Sequence, residues 1–133
     1  MNTYKSFSHA KTMLRYHLIF STKYRKDCLT KIHDSVILSF REVEKISDFK
    51  ILEIELDKNH IHILIEFRPR YSIEQVVRRL KQMTTSYIWK KNESWLRQFY
   101  WSGKHILWTG GYFCSTIGSV SEEKLKYYIK NQG

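Results

Sequence analysis

Two histidines separated by one residue, His60 and His62, carry the most chemistry in this chain. They lie in Asp57-Lys58-Asn59-His60-Ile61-His62-Ile63-Leu64-Ile65-Glu66-Phe67, which alternates as a strand: Ile61, Ile63, Ile65 and Phe67 share one surface, and His60, His62, Leu64 and Glu66 share the other. The apolar surface calls for burial against helices. On the opposite surface, two neutral imidazoles two positions apart can hold one divalent cation if a third ligand arrives from elsewhere. A half-exposed strand with two tolerated histidines has the same pattern, so the pair alone leaves both readings open.

A second pair lies near the C-terminus. Tyr128 and Gln132 are four positions apart, which stacks them on one face of a helix predicted over 121–132 and opened by Ser121-Glu122-Glu123. The amide is a candidate third ligand, and the phenol is a candidate nucleophile toward whatever the cation polarises. Leu125, Tyr128, Ile129 and Gln132 equally describe an ordinary packing stripe. Tyr127 faces away with Lys124 and Asn131, so only one tyrosine of the two can be in position. Glu55 and Asp57 return beside the histidines through the short Lys58-Asn59 turn, either to orient an imidazole, to touch a metal, or as surface carboxylates. His17 falls on the opposite side of its own strand from Tyr16 and Leu18, either lining the same surface as His60 and His62 or hydrogen-bonded as a structural residue.

The elements that must position these groups follow from periodicity. Leu14, Tyr16, Leu18 and Phe20 mark a first strand over 14–21. Lys23-Tyr24-Arg25-Lys26 follows directly: cations around an aromatic at a strand end, suited to clamping a phosphate and stacking a base, and also readable as a solvated turn. Ile32, Val36, Phe40 and Val43 give a helix over about 30–47, with Thr30 as its cap and Asp34 early. A second strand over 49–57 turns Leu52, Ile54 and Leu56 inward, with Glu53, Glu55 and Asp57 outward, and pairs with the histidine strand as an antiparallel hairpin. Pro69 ends that strand. Ser72-Ile73-Glu74-Gln75 is a capping box opening the longest helix, whose stripe from Ile73 to Ile88 runs to about residue 92. Arg78, Arg79, Lys81, Lys90 and Lys91 ride elsewhere on it, as a basic face that could track a nucleic-acid backbone or as solvated side chains. Trp95, Phe99, Tyr100, Trp101 and Trp108 crowd the following connection among Arg97, Lys104 and His105, where they could stack unpaired bases or complete the core. A fourth strand over 112–118 ends in Gly118. Residues 1–12 are aperiodic and read as a loose arm whose Lys5, His9 and Lys11 could touch phosphates.

Composition narrows the partner. The 133 residues, 42% hydrophobic and 15% aromatic with a single proline, suit one domain spanning 1–133 with a real core. No apolar run reaches membrane-spanning length and the N-terminus lacks the apolar core of a secretion signal, so a soluble cytoplasmic protein with no membrane partner is expected. Cys28 and Cys114 match no paired-ligand spacing and are expected as reduced, partly buried thiols. Lys and Arg number 23 against 13 Asp and Glu, a formal charge of +10 that points to a polyanion, with nucleic acid favoured over an anionic membrane surface.

In this order and spacing, five segments resemble one family: Tyr16-His17-Leu18-Ile19-Phe20 with Lys23-Tyr24-Arg25; Asn59-His60-Ile61-His62-Ile63-Leu64; Pro69 with Ser72 and the basic helix; Trp108 through Gly118; and Tyr128-Ile129-Lys130-Asn131-Gln132. They are similar to the single-tyrosine HUH transposases of small insertion sequences, the insertion sequence 200-like group, over nearly the whole chain. The resemblance implies that His60 and His62 are the HUH pair, that Gln132 completes a Mg²⁺ or Mn²⁺ site, and that Tyr128, just before an aliphatic residue and four before the glutamine, is the nucleophile. Asn59 stands where many relatives carry aspartate. The resemblance further implies a 5′-phosphotyrosine intermediate, single-stranded DNA with hairpins at the element ends as substrate, and a homodimer in which each terminal helix can serve its own or the partner's histidines. Lys23, Tyr24, Arg25, Arg78, Arg79, Lys81 and Lys104 are the DNA-contacting candidates.

The expected fold is α+β: a ferredoxin-like, RRM-like sandwich of strand, helix, strand, strand, helix, strand with an antiparallel sheet and an added C-terminal helix carrying the tyrosine. Two rival functions share these features. A replication or relaxase-type HUH nuclease is usually larger or ordered differently, and a non-catalytic nucleic-acid-binding relative would be indifferent to loss of the Tyr128 hydroxyl.

Overall fold

The alternation in residues 14–21 and 60–67 resolves into two strands that pair along their whole length. In a computed structural model, which describes residues 13–117 and Lys130, β1 (Leu14–Ser21) and β3 (His60–Phe67) run antiparallel from Leu14↔Phe67 to Ser21↔His60. β2 (Lys50–Leu56) flanks β3 and β4 (Phe113–Thr116) flanks β1, giving the order β2-β3-β1-β4 with every pairing antiparallel. Two helices, α1 (His33–Lys45) and α2 (Ile73–Leu96), connect β1 to β2 and β3 to β4. This is the predicted ferredoxin-like order. Apart from Lys130, the predicted last helix, together with the N-terminal arm and Gly118, lies outside the described residues.

The main core cluster sits on one side of the sheet, while Ile19 on the other side, opposite His62, is also fully buried. Leu18, Phe20, Ile61, Ile63, Ile65 and Phe67 are fully buried and meet Val36, Phe40 and Val43 of α1 and Val76, Val77, Leu80 and Ile88 of α2. The opposite face therefore carries His60 and His62, as strand alternation demands. Both bonds of the capping box form: the Ser72 hydroxyl accepts from the Gln75 amide N–H at 3.1 Å, and the Gln75 side chain accepts from the Ser72 N–H at 2.9 Å.

Four local expectations need correction. Thr30 does not cap α1; it opens a 3₁₀ turn, Thr30–Ile32, and α1 starts at His33 with no side-chain cap. Leu52 does not point inward. The ladder to β3 shifts between Ile51 and Glu53, a bulge that resets the alternation, so Ile51 is buried against Ile65 while Leu52 is 41% exposed. α2 does not stop at Asn92, whose φ of −134° leaves the helical range; the helix resumes and ends at Leu96. β4 is shorter than the predicted 112–118.

The connection between α2 and β4 is built into the domain. Tyr100 and Trp108 are buried, and the Trp108 ring lies 5.8 Å from Phe20 and 6.0 Å from Phe40, with its Nε1 donating to Thr84 Oγ1 at 3.1 Å. Its backbone extends the end of β1: Lys23 N–H donates to the Leu107 carbonyl and Thr109 N–H to the Ser21 carbonyl. Most of the aromatic run is thus scaffold. Cys28 and Cys114 are free thiols, and burial pushes the Cys28 pKa up to about 11.

The bulge gives a sharp test. Ile51→Ala should cost about 2–5 kcal/mol, whereas Leu52→Ala should stay within about 1 kcal/mol; chemical denaturation of the two variants checks the assignment, and a regular strand would reverse the order.

Candidate functional site

The histidine strand is held in place where it begins. Asp57 N–H donates to the His60 carbonyl across the two-residue Lys58-Asn59 turn, Thr22 N–H donates to the Asn59 carbonyl at 2.9 Å, and Leu29 N–H donates to the Lys58 carbonyl at 3.1 Å. The segment leaving β1 thus grips the turn on which His60 depends. The Asn59 side chain completes the arrangement, its Oδ1 lying 3.0 Å from His60 Nδ1. A carbonyl oxygen can only accept, so this bond puts the proton on Nδ1 and leaves the His60 Nε2 lone pair available.

His62 lies one pleat further along. Its Nε2 is 3.0 Å from His17 Nδ1, and the two rings stack at 5.2 Å. Of the two roles open to His17 in the sequence, the structure unites both: it lines the histidine face and is hydrogen-bonded there. A cation taking His62 through Nε2 must displace His17.

Acidic groups flank the pair. Glu55 stands opposite His62 in the β2–β3 register, and Asp57 Oδ2 lies 4.0 Å from His60 Nε2. Both carboxylates favour protonated imidazole, yet burial outweighs them. The His60 pKa is lowered first by desolvation, against the pull of Asp57 and with help from Arg25. That of His62 is lowered first by desolvation and then by His17, against Glu55 and Glu53. Neutral imidazoles are the form that binds metal. Among the described residues no three His, Cys, Asp or Glu side chains are arranged to hold an ion, so a cation on His60 and His62 requires a further ligand.

Beside this face the chain makes a strained turn. Tyr24 has φ 60° and Arg25 φ 53°, two successive non-glycine residues in the left-handed region, at about 1–2 kcal/mol each. The turn is pinned from below: Arg25 N–H donates to the Thr22 carbonyl, Thr22 Oγ1 donates to the Lys26 carbonyl at 2.8 Å, and the Tyr100 hydroxyl donates to the Lys23 carbonyl at 2.8 Å. Arg25 Nη1 also donates to the carbonyl of Lys130 at 2.7 Å, and Lys130 is helical. Tyr128 and Gln132, two residues to either side of Lys130 in sequence, lie outside the described residues.

The other cationic candidates are dispersed. Arg79 is committed to the end of α1, donating to Ser47 Oγ and the Ile46 carbonyl, at the opposite end of the sheet from His60. Arg78 is exposed on the same part of α2. Lys81 is half-buried, with Nζ 2.8 Å from the carbonyls of both Thr109 and Gly111, and burial lowers its pKa to about 8. That geometry makes Lys81 a tie between α2 and the approach to β4, not an open phosphate contact. Lys104 is exposed in the turn after Trp101. Of the candidates, the structure brings Arg25 within electrostatic reach of His60 and leaves Arg78 and Arg79 remote from the histidines. Sequence reasoning weighed His17 and Asn59 without seeing that each meets a ring nitrogen; nothing in local spacing marks a contact made across two strands.

The family described as "Transposase IS200 like" matches residues 10–132. The chain belongs to the IS200-like transposase family. It is 27% identical over 133 residues to the transposase for insertion sequence element IS200 of Salmonella typhimurium, covering 99% of this chain and 85% of that one. It is 25% identical over 120 residues to the ISDra2 transposase TnpA of Deinococcus radiodurans, covering 90% and 84%. A crystal structure assigned as a transposase from Deinococcus radiodurans R1 superposes with a TM-score of 0.81 at 25% identity, covering 91% of this chain and 92% of that one. A REP-associated tyrosine transposase bound to a REP hairpin shares the fold alone, with a TM-score of 0.56 at 12% identity, covering 87% and 62%. Among the described residues of this transposase, no helix is long and apolar enough to cross a membrane.

The lowered histidine pKa values carry a sign for stability. A folded-state pKa below the unfolded value of about 6.5 means that the unfolded chain binds protons first, so stability is intact above about pH 6.5 and is lost as pH falls through that value. In EDTA, urea denaturation at pH 7.5 and pH 5.5 should show a drop that is smaller in a His60→Gln, His62→Gln double variant; an equal drop would assign the acid sensitivity elsewhere.

Proposed function

We propose that this transposase cleaves and rejoins single-stranded DNA at the hairpin-marked ends of a mobile element, with Tyr128 as nucleophile and a 5′-phosphotyrosine as intermediate. The observation that carries the reading is the neutral His60–His62 pair, with His60 aimed by Asn59, half-buried on the sheet face opposite the helices and within the field of Arg25 from the basic turn 23–26. The Arg25 bond to Lys130 supports it from the other side, by tying that turn to the segment that includes the tyrosine in sequence.

The donor set fits a divalent cation. His60 and His62 would hold Mg²⁺ or Mn²⁺ with Gln132 as the third protein ligand, and imidazole ligation makes Mn²⁺ the better ion for assay. When bound, such an ion supplies Lewis-acid polarisation of the scissile phosphate. The remaining work belongs to the chain. Asn59 fixes the His60 ring and its tautomer, and Lys23 and Arg25 set the phosphodiester in register. The Tyr128 phenol, with an ordinary pKa near 10, loses its proton as its oxygen bonds to phosphorus. The 3′ oxygen departs and takes up a proton, leaving a free 3′-hydroxyl. Rejoining reverses the exchange: a 3′-hydroxyl attacks the phosphotyrosine and restores the phenol. One phosphoester replaces another, so no nucleotide cofactor is consumed.

Incubating the protein with single-stranded hairpin oligonucleotides and Mn²⁺ should give a covalent adduct that resists denaturing electrophoresis and disappears in EDTA. Tyr128→Phe should abolish it and Tyr127→Phe should leave it. If Tyr128→Phe leaves the adduct or DNA function intact, the protein is a binding relative or uses another nucleophile. Asn59→Ala should lower the cleavage rate about 10- to 100-fold through loss of the ring's orientation, with Asn59→Asp retaining it; equal rates for Asn59→Ala and the unaltered protein would remove Asn59 from the site. A homodimer belongs to the same reading, and a monomer mass by light scattering on the DNA complex would reject it.

A further inference from the structure

Of the large apolar side chains among the described residues, Tyr24 and Trp101 are the most exposed, at 67% and 75%. They come from opposite ends of the domain's sequence yet line one cleft of about 260 Å³, with Lys26 at its rim and Phe99 and Tyr100 among its walls. Neither ring serves the core. Tyr24 is moreover held out by a backbone that only glycine would adopt without strain, and hydrogen bonds from Thr22 and Tyr100 keep the turn in that shape. Trp101 stands on its own turn, where Gly103 takes φ 88° and permits the reversal into Lys104. Strain maintained under an exposed aromatic indicates that the ring's placement, not its burial, is what the turn delivers.

The surroundings identify the occupant. Lys23 Nζ lies 5.6 Å from the centre of the Tyr24 ring, Lys26 borders the cleft, and the chain carries +10 overall. An aromatic-walled slot edged by lysines suits a planar group attached to an anionic backbone. Its volume falls below the roughly 300–1,000 Å³ of whole-ligand pockets, which is the scale of a single base. The slot is tied through the backbone to the turn that carries His60. Thr22, two residues before Tyr24, is bonded to Asn59, and Asn59 orients His60.

We propose that the Tyr24–Trp101 cleft is a stacking slot for one unpaired base of the single strand that flanks the scissile phosphate. This rests on the strand-transfer reading above, but the slot can fail while that reading stands. By stacking one base it fixes how far the strand extends from the histidines, and thereby which phosphate reaches them. Sequence tolerance follows, because every base offers a ring face.

The test uses two probes with the full-length protein: a bare blunt hairpin, and the same hairpin with a single-stranded extension in which 2-aminopurine replaces one base at a time. The unaltered protein should bind the extended hairpin more tightly and quench 2-aminopurine at one position. Tyr24→Gly and Trp101→Ala should each weaken binding to the extended hairpin, by roughly 5- to 150-fold, abolish the quenching, and leave the bare hairpin's affinity unchanged. Tyr24→Phe should behave as the unaltered protein. Tyr24→Gly should also keep or raise the melting temperature, since glycine relieves the strain. The proposal is overturned if neither variant changes binding to the extended hairpin, if both probes are weakened equally, or if Tyr24→Gly lowers the melting temperature. Adduct formation by the unaltered protein is scored separately: its presence with an unaffected extension rejects the slot alone, and its absence with the extension effect intact rejects Tyr128 catalysis alone.

Discussion

The β1–β3 ladder is the contact on which everything else depends, because its register decides which face receives the imidazoles. Pairing Ile19 with His62 and Phe20 with Ile61 sends Leu18, Phe20, Ile61, Ile63 and Ile65 into the core and brings His17, His60 and His62 together on the other side. A slip of one residue would bury both histidines and expose the isoleucines, so the apolar burial that stabilises the domain also enforces the geometry of the site. The hydrophobic term is far larger than any contact among the histidines. The site is precise because it is carried by the core's register.

On that face, desolvation and charge compete for the histidine protons. Asp57, Glu53 and Glu55 would raise the imidazole pKa values, and in open water three carboxylates would prevail. The half-buried setting reverses the outcome, aided by Arg25 at His60 and by His17 at His62. The carboxylates still matter. They supply negative potential for a cation without taking the lone pairs that would bind it, and they stand on β2 and its turn, one strand away from the basic 23–26 segment. The carboxylates of β2 and its turn and the cations of the 23–26 turn approach the imidazoles from different elements, an arrangement that the proposed metal and phosphate would require.

Much of this was legible from residue spacing. Alternation found β1 to the residue and placed the histidine strand with its Lys58-Asn59 turn, the Ser72–Gln75 box located the start of α2, and His60 with His62 identified the chemical face. What failed were features that local pattern does not encode. The bulge at Leu52 replaces one apolar residue by its neighbour, Ile51, and nothing in Lys50-Ile51-Leu52-Glu53 says which of the two will be inside. Thr30 has the right chemistry for a cap, but the chain spends one more 3₁₀ turn before α1. The aromatics after Trp95 could serve a core or a surface equally well, and tertiary packing separated Tyr100 and Trp108 from Trp101. Tyr128 and Gln132, which spacing and family resemblance single out, lie outside the described residues; the Arg25 bond to Lys130 is the nearest structural contact to them.

Counting charges would overstate the surface available to DNA. Arg15 pairs with Glu66, Arg41 with Glu44, Arg70 with Asp48 and Arg97 with Glu93, while Arg79 and Lys81 bind backbone carbonyls of the domain itself. Each exposed pair contributes at most about 1 kcal/mol to stability, so their main effect here is to quench local potential. The positive field that remains is therefore less uniform than a charge of +10 implies. At the 23–26 turn three cations, Lys23, Arg25 and Lys26, lie within four residues, and the backbone is strained. A polyanion is drawn toward this turn, where Arg25 also acts on His60. Long-range attraction and local chemistry then act at the same point of the fold, although only the first could be read from composition.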